Sequence, residues 1–301
     1  LGNCAYILGA LIGIPANFIV LQRIISTKEL RISVSYLFIF NLALADLFFL
    51  SGTPLMVSNS IQNTWKFGTF MCKAFLASNG ANQFASSLFM ALLSLDRYTA
   101  ICCKGKIKDY KTQCSAIFLC TISWLIIFLA IFPLYYFGTI VCMLVWSGSD
   151  KGDALFGDNL DTIENLEFSR KIFTAYTFAL GYIIPLMAIW YFYGNIIYAV
   201  WRQGTSSLIA NRNLRKRTMK ITWLGVSIAL IYSFCWFPFW YVQWSIEEMS
   251  EWTLRHDLLM PISYMAYVLC YFNSVINPFA FINYSNRIKQ QVRHYVIFEV
   301  Y

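Results

Sequence analysis

Residues 88–99 read LFMALLSLDRYT, an apolar run of helical character that ends in the charged pair Asp96-Arg97. A charged side chain inside a membrane costs about 3 kcal/mol on insertion scales, so such residues are kept mainly for function. The three letters DRY are a weak match by themselves. The composition supports a membrane setting, because 58% of the chain is hydrophobic and 13% is charged, whereas soluble domains average about 25% charged residues.

Seven apolar segments are long enough to cross a bilayer, which takes about 20 residues of helix. Backbone polar groups inside a membrane must be paired within the protein, so such segments form a helix bundle. We therefore predict an all-α membrane protein, a single seven-transmembrane domain over residues 1–301. The predicted spans are 2–25, 33–60, 70–102, 113–137, 170–201, 219–245 and 259–282.

The net charge of +8 indicates topology rather than nucleic-acid binding. Most lysines and arginines flank the segment ends that the positive-inside rule assigns to the cytoplasm, which puts the N-terminus outside the cell. Most acidic residues fall on the opposite side, in the outer loops 138–169 and 246–258. We predict a multi-pass plasma-membrane protein that contacts membrane lipids and has no nucleic-acid partner.

Two connecting segments carry structural predictions of their own. Thr139 to Trp146 is rich in β-formers, which favours a β-hairpin in the second extracellular loop. The acidic stretch that follows is either a solvated loop or a lid that attracts a cationic ligand by long-range steering. Residues 285–295, SNRIKQQVRHY, are typical of a short basic amphipathic helix on the inner leaflet.

The Asp96-Arg97-Tyr98 motif recurs with other motifs in separate apolar segments, in one order. The others are Asp46, Trp124, Pro185, the run Cys235-Trp236-Phe237-Pro238, and Asn277-Pro278. This ordered set resembles the rhodopsin-like (class A) G-protein-coupled receptors over nearly the whole chain. The resemblance implies a disulfide bond between Cys72 and Cys142.

The resemblance also implies how such a chain signals to a heterotrimeric G protein. Trp236 would lie above a hinge at Pro238, so that the cytoplasmic half of the sixth helix swings outward, and Arg97 would leave Asp96 to meet the G protein. Tyr193 matches a tyrosine that steadies the active state. The expected coupling residues are Asp96, Arg97, Tyr98, Tyr193, Pro238, Asn277, Pro278 and Phe281.

Asp46 lies in the middle of an apolar segment, where an unpaired carboxylate is costly, so it must be protonated, hydrogen-bonded or bound to a cation. Positions that match other mid-span polar residues line a sodium site in class A receptors, and oxygen ligands suit a hard cation. The alternative is a structural hydrogen-bond network between helices. The predicted sodium ligands are Asp46, Asn82, Ser86, Asn273 and Asn277, and no other cofactor is expected.

Within class A, the chain most resembles the somatostatin, opioid and allatostatin-C receptors. The supporting stretches are Thr64–Gly68, Asp96–Cys102, Phe234–Phe239 and Tyr271–Pro278. In that branch the residue seven after the first cysteine is an aspartate that pairs with a ligand cation, whereas here it is Asn79. An amide supplies no counter-charge, which argues against a small monoamine. We expect a cationic neuropeptide, with predicted contacts at Asn79, Gln83, Trp236, Phe239, Gln243, Tyr267 and Tyr271.

Three departures from the family pattern keep a second hypothesis open. Phe281 stands where the family has a tyrosine, and Lys104-Gly105 replace a proline and a bulky apolar residue. The alternatives are a receptor of the same fold that signals weakly, such as a decoy, scavenger or orphan, or a class A receptor for a non-peptide ligand. The branch suggests a Gi/o partner. An enzyme is not supported, because His256 and His294 fall on opposite sides of the membrane. An opsin is excluded, because it needs a lysine in the seventh span to bind retinal and residues 264–282 contain none.

Overall fold

The computed structural model describes residues 2–26, 34–62, 65–103, 112–146, 171–203, 212–248 and 256–284, and these residues are almost entirely helical. Helix α6 covers 171–203 and includes a π-helical turn at Ala179–Ile183, after which α-helical geometry resumes over Ile184–Gln203. The other helices are α1 (Gly2–Ser26), α2 (Val34–Ser51), α3 (Thr53–Gln62), α4 (Gly68–Ile101), α5 (Gln113–Trp146), α7 (Arg212–Glu248) and α8 (His256–Tyr284).

These helices form the predicted seven-span bundle, in which α2 and α3 together make the second span. Among the described residues, six spans are long and apolar enough to cross a membrane by length and composition, and α4 is not one of them. Helix α4 packs against α2, α5 and α6, so its polar side chains face protein rather than lipid. This central position explains why α4 can carry polar residues in the middle of its span.

The predicted β-hairpin at 139–146 is wrong, because this stretch continues helix α5 to Trp146. Extending an existing helix adds one backbone hydrogen bond per residue, whereas a hairpin must be nucleated anew. Local β-propensity is weaker than this propagation, and Gly138 alone does not stop it. The acidic loop 147–170 and the predicted amphipathic helix at 285–295 lie outside the described residues.

Prolines interrupt several helices, and side chains from elsewhere compensate for the missing N–H group. Pro54 cannot donate to the carbonyl of Leu50, and the Thr53 hydroxyl donates to that oxygen at 2.7 Å. Pro278 likewise leaves the carbonyl of Ser274, which accepts a hydrogen bond from the amide nitrogen of Asn17 at 3.1 Å. These two hydrogen bonds, one within the second span and one between α1 and α8, therefore replace donors that proline removes.

A further contact between helices lies at the π-helical turn of α6, where N–H groups donate to carbonyls five residues back, as Ile184 does to Ala179. The carbonyl of Gly181, within this turn, also accepts a hydrogen bond from another helix. The Tyr232 hydroxyl of α7 donates to that carbonyl at 3.0 Å. Gly181 also lies close to α4, because a Cβ built on it would be 3.2 Å from the Phe84 ring. Three helices therefore meet at Gly181.

Candidate functional site: three polar clusters along the bundle

The first cluster surrounds Asp46 in the middle of the bundle, and its carboxylate is fully buried. Asn82 of α4 donates to Asp46 Oδ1 at 2.9 Å, and Asn277 of α8 donates to Asp46 Oδ2 at 2.9 Å. The Ser274 hydroxyl lies 3.5 Å from Asn82 Oδ1. Three helices therefore converge on one carboxylate through neutral donors.

The rest of the predicted sodium set has unused polar atoms. Ser86 and Asn273 are buried. In the described part of the chain, neither the Ser86 hydroxyl nor either polar atom of the Asn273 amide has a hydrogen-bond partner. Buried polar atoms without partners are rare and call for an explanation, such as a bound ion or water. A carboxylate together with hydroxyl and amide oxygens suits a hard cation, so these residues fit sodium.

The second cluster is aromatic and lies in the outer half of the bundle, around Phe239 of α7. Its ring contacts Trp236 edge-on at 5.6 Å between centroids and Tyr267 at 5.5 Å. The Tyr267 hydroxyl also interacts with the Gln243 side chain. Four of the seven predicted ligand residues, on α7 and α8, therefore form one contiguous surface.

The two predicted amides on α4 face this half of the bundle with spare hydrogen-bonding capacity. Gln83 is buried and lies against the π-helical turn, since its Nε2 is 3.4 Å from a Cβ built on Gly181. Among the described residues, neither Gln83 Nε2 nor Asn79 Oδ1 has a hydrogen-bond partner. The buried Trp236 indole nitrogen likewise has no hydrogen-bond partner among these residues. A ligand with complementary polar groups would satisfy all three atoms.

Tyr271 is placed differently from the other predicted ligand residues. Its ring is buried against Phe49 of α2 at 4.3 Å and Tyr6 of α1 at 4.9 Å. This packing joins α8 to the first two spans. Trp240, which the sequence did not single out, instead occupies the α6–α7 side, in contact with Phe178 at 5.0 Å and Phe239 at 5.2 Å.

The third cluster lies at the cytoplasmic end of α4. Asp96 is buried, and the Arg97 side chain forms an ion pair with it, with Nε donating to Oδ2 at 3.0 Å. The Ser35 hydroxyl of α2 donates to the same carboxylate oxygen at 2.6 Å, and Ser35 also contacts the Arg97 guanidinium. Arg97 is thus held at its own helix, and α2 takes part in holding it.

Sequence reasoning missed Ser35, because a serine near the start of a helix is common and carries no signal of a distant partner. It likewise missed Asn41, which accepts a hydrogen bond from the Trp124 indole at 2.8 Å and fixes α5 to α2. Both contacts join residues far apart in the chain. A pattern within one segment could not have revealed either.

The remaining predicted coupling residues pack between the cytoplasmic halves of the helices. Tyr98 contacts the ring of Phe192 at 5.4 Å. Tyr193 is buried against α7, where a Cβ at Gly225 would overlap its hydroxyl. Phe281 is buried in the core. Lys104 and Gly105 lie outside the described residues.

The outer end of α4 carries a buried cysteine, Cys72, and it is disulfide-bonded. The backbone at Cys142 belongs to α5, but the side chain lies outside the described residues. The pairing of these two cysteines therefore stays a prediction.

Comparison with known proteins places this arrangement in a family. The family model of the 7 transmembrane receptor (rhodopsin family) matches residues 16–281. Melanin-concentrating hormone receptor 1 of Rattus norvegicus is 29% identical over 277 residues, covering 90% of this chain and 74% of that receptor. Somatostatin receptor type 4 of Rattus norvegicus is 27% identical over 281 residues, covering 92% and 67%, and type 5 is 26% identical over 289 residues, covering 96% and 75%.

The somatostatin receptors among these relatives agree with the predicted branch, and the predicted class is confirmed. The match covers most of the chain, from the first span to the seventh. The apolar helices agree with a protein that crosses the plasma membrane several times. The chain belongs to the rhodopsin family of seven-transmembrane receptors.

Proposed function

We propose that this receptor binds a cationic neuropeptide at its extracellular side and activates a heterotrimeric G protein of the Gi/o class. The observation that carries the proposal is the set of unpaired buried atoms on Asn79, Gln83 and Trp236, beside the aromatic surface around Phe239. Apolar walls with a few convergent polar groups are typical of ligand sites. The names of the relatives, a melanin-concentrating hormone receptor and somatostatin receptors, support a peptide.

Asn79 determines how a positive charge on the ligand would be attracted. Its amide accepts a hydrogen bond but carries no charge, so a deep ion pair at this position is not part of the proposal. Attraction comes instead from the outer loops, where Asp150, Asp153, Asp158 and Asp161 are concentrated. Charges of this kind act over about 8 Å at physiological salt and mainly raise the association rate.

Signalling follows from a two-state equilibrium that ligand and G protein bias from opposite ends. In the resting state Arg97 is bound to Asp96 and Ser35. Peptide contacts beside Trp236 favour bending at Pro238, which moves the cytoplasmic half of α7 outward. Arg97 then leaves Asp96 and meets the G protein.

The Asp46 cluster would hold a sodium ion through the Asp46 carboxylate and the oxygens of Asn82, Ser86, Asn273 and Asn277. The ion would supply the positive charge that the neutral donors around Asp46 lack. Because α2, α4 and α8 all contribute ligands, the cluster resists separation of these helices. Binding of sodium therefore favours the resting state and lowers agonist affinity.

The first experiment is a neuropeptide screen on cells expressing the full-length receptor, read as agonist-driven Gi/o activation. We expect a response to cyclic somatostatin-like or allatostatin-C-like peptides. Asn79→Asp should raise the affinity of the most cationic hits about tenfold, since a carboxylate adds a charge-assisted bond. Asn195→Asp, in the cytoplasmic half of α6, where the amide donates within its own helix to the carbonyl of Tyr191, is the control. No response from a receptor shown to be at the surface would overturn the peptide assignment.

A weakly signalling receptor is the second candidate, and Phe281 is the observation that favours it. Its buried ring lacks the hydroxyl through which a tyrosine would reach Tyr193 in the active state. Purified receptor and G protein distinguish the two candidates. Agonist-dependent nucleotide exchange supports the signalling receptor, whereas high-affinity peptide binding without exchange supports the weak one. If the missing hydroxyl of Phe281 weakens signalling, Phe281→Tyr should increase agonist-dependent nucleotide exchange.

A further inference from the structure

Two free cysteines lie at the two ends of the cytoplasmic loop that joins α4 to α5. Cys103 directly follows the end of α4, and Cys114 is the second residue of α5. Cys114 is exposed and Cys103 is half-buried. The cytosol keeps such thiols reduced. The proposed signalling mechanism uses neither of them, so this side of the bundle carries two nucleophilic groups that the ligand site and the three polar clusters do not explain.

A capping arrangement fixes the position of Cys114. Thr112 precedes α5, and its hydroxyl oxygen accepts a hydrogen bond from the Ser115 N–H at 3.2 Å. The Ser115 hydroxyl oxygen in turn accepts one from the Thr112 N–H at 3.1 Å. A reciprocal pair of this kind defines where a helix begins. Cys114 therefore has the orientation of a helical residue, although it lies in the first turn of α5.

The face of α5 that carries Cys114 is exposed to lipid. Residues three, four, seven and eleven positions further on share that face, and all four are exposed: Ile117, Phe118, Thr121 and Leu125. The Thr121 hydroxyl donates to the carbonyl of Ile117 at 3.0 Å, so it is satisfied within the helix. From Cys114 to Leu125 the stripe rises about 16 Å, about half the thickness of the hydrocarbon core. An acyl chain on Cys114 can therefore lie along this stripe into the membrane.

Cys103 reaches the membrane boundary at the other end of the loop. Its side chain interacts with the hydroxyl of Tyr98, and the Tyr98 ring lies 6.5 Å from the ring of Tyr191, an exposed residue of α6. The seam between α4 and α6 is therefore open to lipid near Cys103. The adjacent Cys102 is placed differently, because its thiol donates to the carbonyl of Asn195 in α6 at 3.8 Å.

The sequence between the two thiols is basic. Residues 104–111 contain four lysines and one aspartate. Basic segments at the cytoplasmic surface are attracted to the anionic lipids of the inner leaflet. Cysteines at the membrane edge are typical sites of reversible S-palmitoylation, and an acyl chain and a basic segment together anchor a segment to a membrane. Charge and thiol placement therefore favour the same surface, the inner leaflet.

We propose that Cys103 and Cys114 are S-acylated with long-chain fatty acids, which anchors both ends of this loop to the inner leaflet. In each reaction the thiol loses its proton, and its sulfur attacks the carbonyl carbon of a long-chain acyl-coenzyme A. A thioester forms on the cysteine, the thioester of the donor breaks, and coenzyme A leaves as a thiol with the proton. Hydrolysis of the new thioester restores the cysteine. The inference does not depend on the identity of the ligand or of the G protein.

The test counts acyl groups on the full-length receptor taken from the surface of cells. After free thiols are blocked, hydroxylamine cleaves thioesters, and each released thiol receives a polyethylene-glycol maleimide tag that shifts the receptor on a gel. We expect Cys103→Ser and Cys114→Ser each to lose one tag relative to wild type, and the double variant to lose two. Acylated proteins of the same cells serve as the positive control for tagging. A variant with as many tags as wild type overturns the assignment of its cysteine.

Two other cysteines provide matched controls. Cys102→Ser removes the adjacent thiol, which contacts α6, and Cys4→Ser removes an exposed thiol of α1 on the opposite side of the membrane. Both variants should keep the wild-type number of tags. Loss of a tag in Cys102→Ser would contradict the structural argument, because contact with α6 would then not protect a thiol.

Mass spectrometry of the wild-type receptor tests the proposal without any substitution. Peptides that contain Cys103 and Cys114 should carry a palmitoyl or stearoyl group that hydroxylamine removes. Recovery of these peptides only with free thiols overturns the proposal, whatever the variants show. Neither result bears on peptide binding or G-protein activation, so failure here is distinct from failure of the proposed function.

Discussion

Two buried aspartates of this receptor, Asp46 and Asp96, have opposite kinds of partner. Asp46 receives hydrogen bonds from two neutral amides at 2.9 Å, and no cationic side chain is recorded beside it in the described part of the chain. Asp96 is bound by the guanidinium of its own neighbour, Arg97, and by the Ser35 hydroxyl. Both carboxylates are nearly inaccessible to solvent.

The difference indicates how each site can be switched. A buried carboxylate that stays charged is costly when no cation accompanies it. Asp96 has this cation built into the chain, so its switch is the departure of Arg97 toward another partner. Asp46 lacks one, so its switch is the binding and release of a diffusible ion. The cytoplasmic cluster can therefore respond to a bound protein, and the middle cluster can respond to the concentration of a cation such as sodium.

The largest effect is expected from removing the Arg97 side chain, which is the cation beside Asp96. Arg97→Gln leaves Asp96 buried without its ion-pair partner and should lower the free energy of unfolding by about 3 kcal/mol. It also removes the proposed contact with the G protein, so agonist-driven nucleotide exchange should fall to background. Both are measured on purified receptor, by thermal unfolding and by exchange.

A control for this change is Lys171→Gln, which removes an exposed lysine at the outer start of α6. It should leave exchange and stability near wild type. Exchange by Arg97→Gln at more than half the wild-type rate would contradict the proposed role of Arg97.

The second prediction concerns salt and separates the two aspartates directly. In the wild-type receptor, replacing choline chloride with sodium chloride should weaken agonist binding about fivefold, a typical coupling between two sites. Asp46→Asn should abolish this difference, because the amide offers no charge to the ion. The measurement is a competition binding curve in the two salts at equal ionic strength.

Asp96→Asn is the control for the salt experiment. It removes the other buried carboxylate but leaves the sodium ligands in place, so it should retain the fivefold difference. Loss of sodium sensitivity in both variants would show that the effect does not arise at Asp46.

The contrast between the two clusters was only partly predictable from sequence. Asp46 stands out because a lone carboxylate in an apolar run needs partners, and Asn82 and Asn277 were the mid-span amides able to supply them. Ser35 and Tyr232 gave no such signal. A serine near a helix end and a tyrosine in an aromatic run are both common, and their roles depend on which helix is placed opposite.

The fold could be predicted where the residues of a segment determine its structure. The prediction failed where contacts or helix continuation from elsewhere in the chain decide it. Among the described residues, helix length and hydropathy identify six spans, and α4 falls short because of its polar residues, although the sequence already predicted this span at 70–102. At 139–146, β-propensity predicted a strand, but the stretch continues a helix that began 26 residues earlier, at Gln113. The hydrogen bond from Tyr232 of α7 to the π-helical turn before Pro185 likewise joins segments that are far apart in the chain.

A smaller effect is expected at Ser35, the partner that α2 contributes to Asp96. Ser35→Ala removes one hydrogen bond to the carboxylate while the ion pair with Arg97 remains, so stability should fall by about 1 kcal/mol. Basal exchange should rise a fewfold, because Arg97 is held less firmly. Ser94→Ala is the control, since the Ser94 hydroxyl donates within its own helix to the carbonyl of Ala91. Equal behaviour of the two variants would remove α2 from the switch.

The smallest expected effect is at Ser86, and its sign depends on salt. Without sodium, the buried Ser86 hydroxyl has no recorded partner within the described residues, so Ser86→Ala removes an unsatisfied group and should raise the melting temperature slightly. With sodium, the same change removes a ligand and should reduce the stabilisation that the ion brings. The melting temperatures in sodium and choline should therefore move toward each other.

Ser123→Ala provides the comparison for Ser86, because the Ser123 hydroxyl is buried but donates within α5 to Leu119 at 2.7 Å. It should shift both melting temperatures equally and leave the gap between the two salts unchanged. A structural hydrogen-bond network without an ion predicts the same for Ser86→Ala. The size of the gap, rather than either temperature alone, therefore decides whether the middle cluster holds a cation or only joins helices.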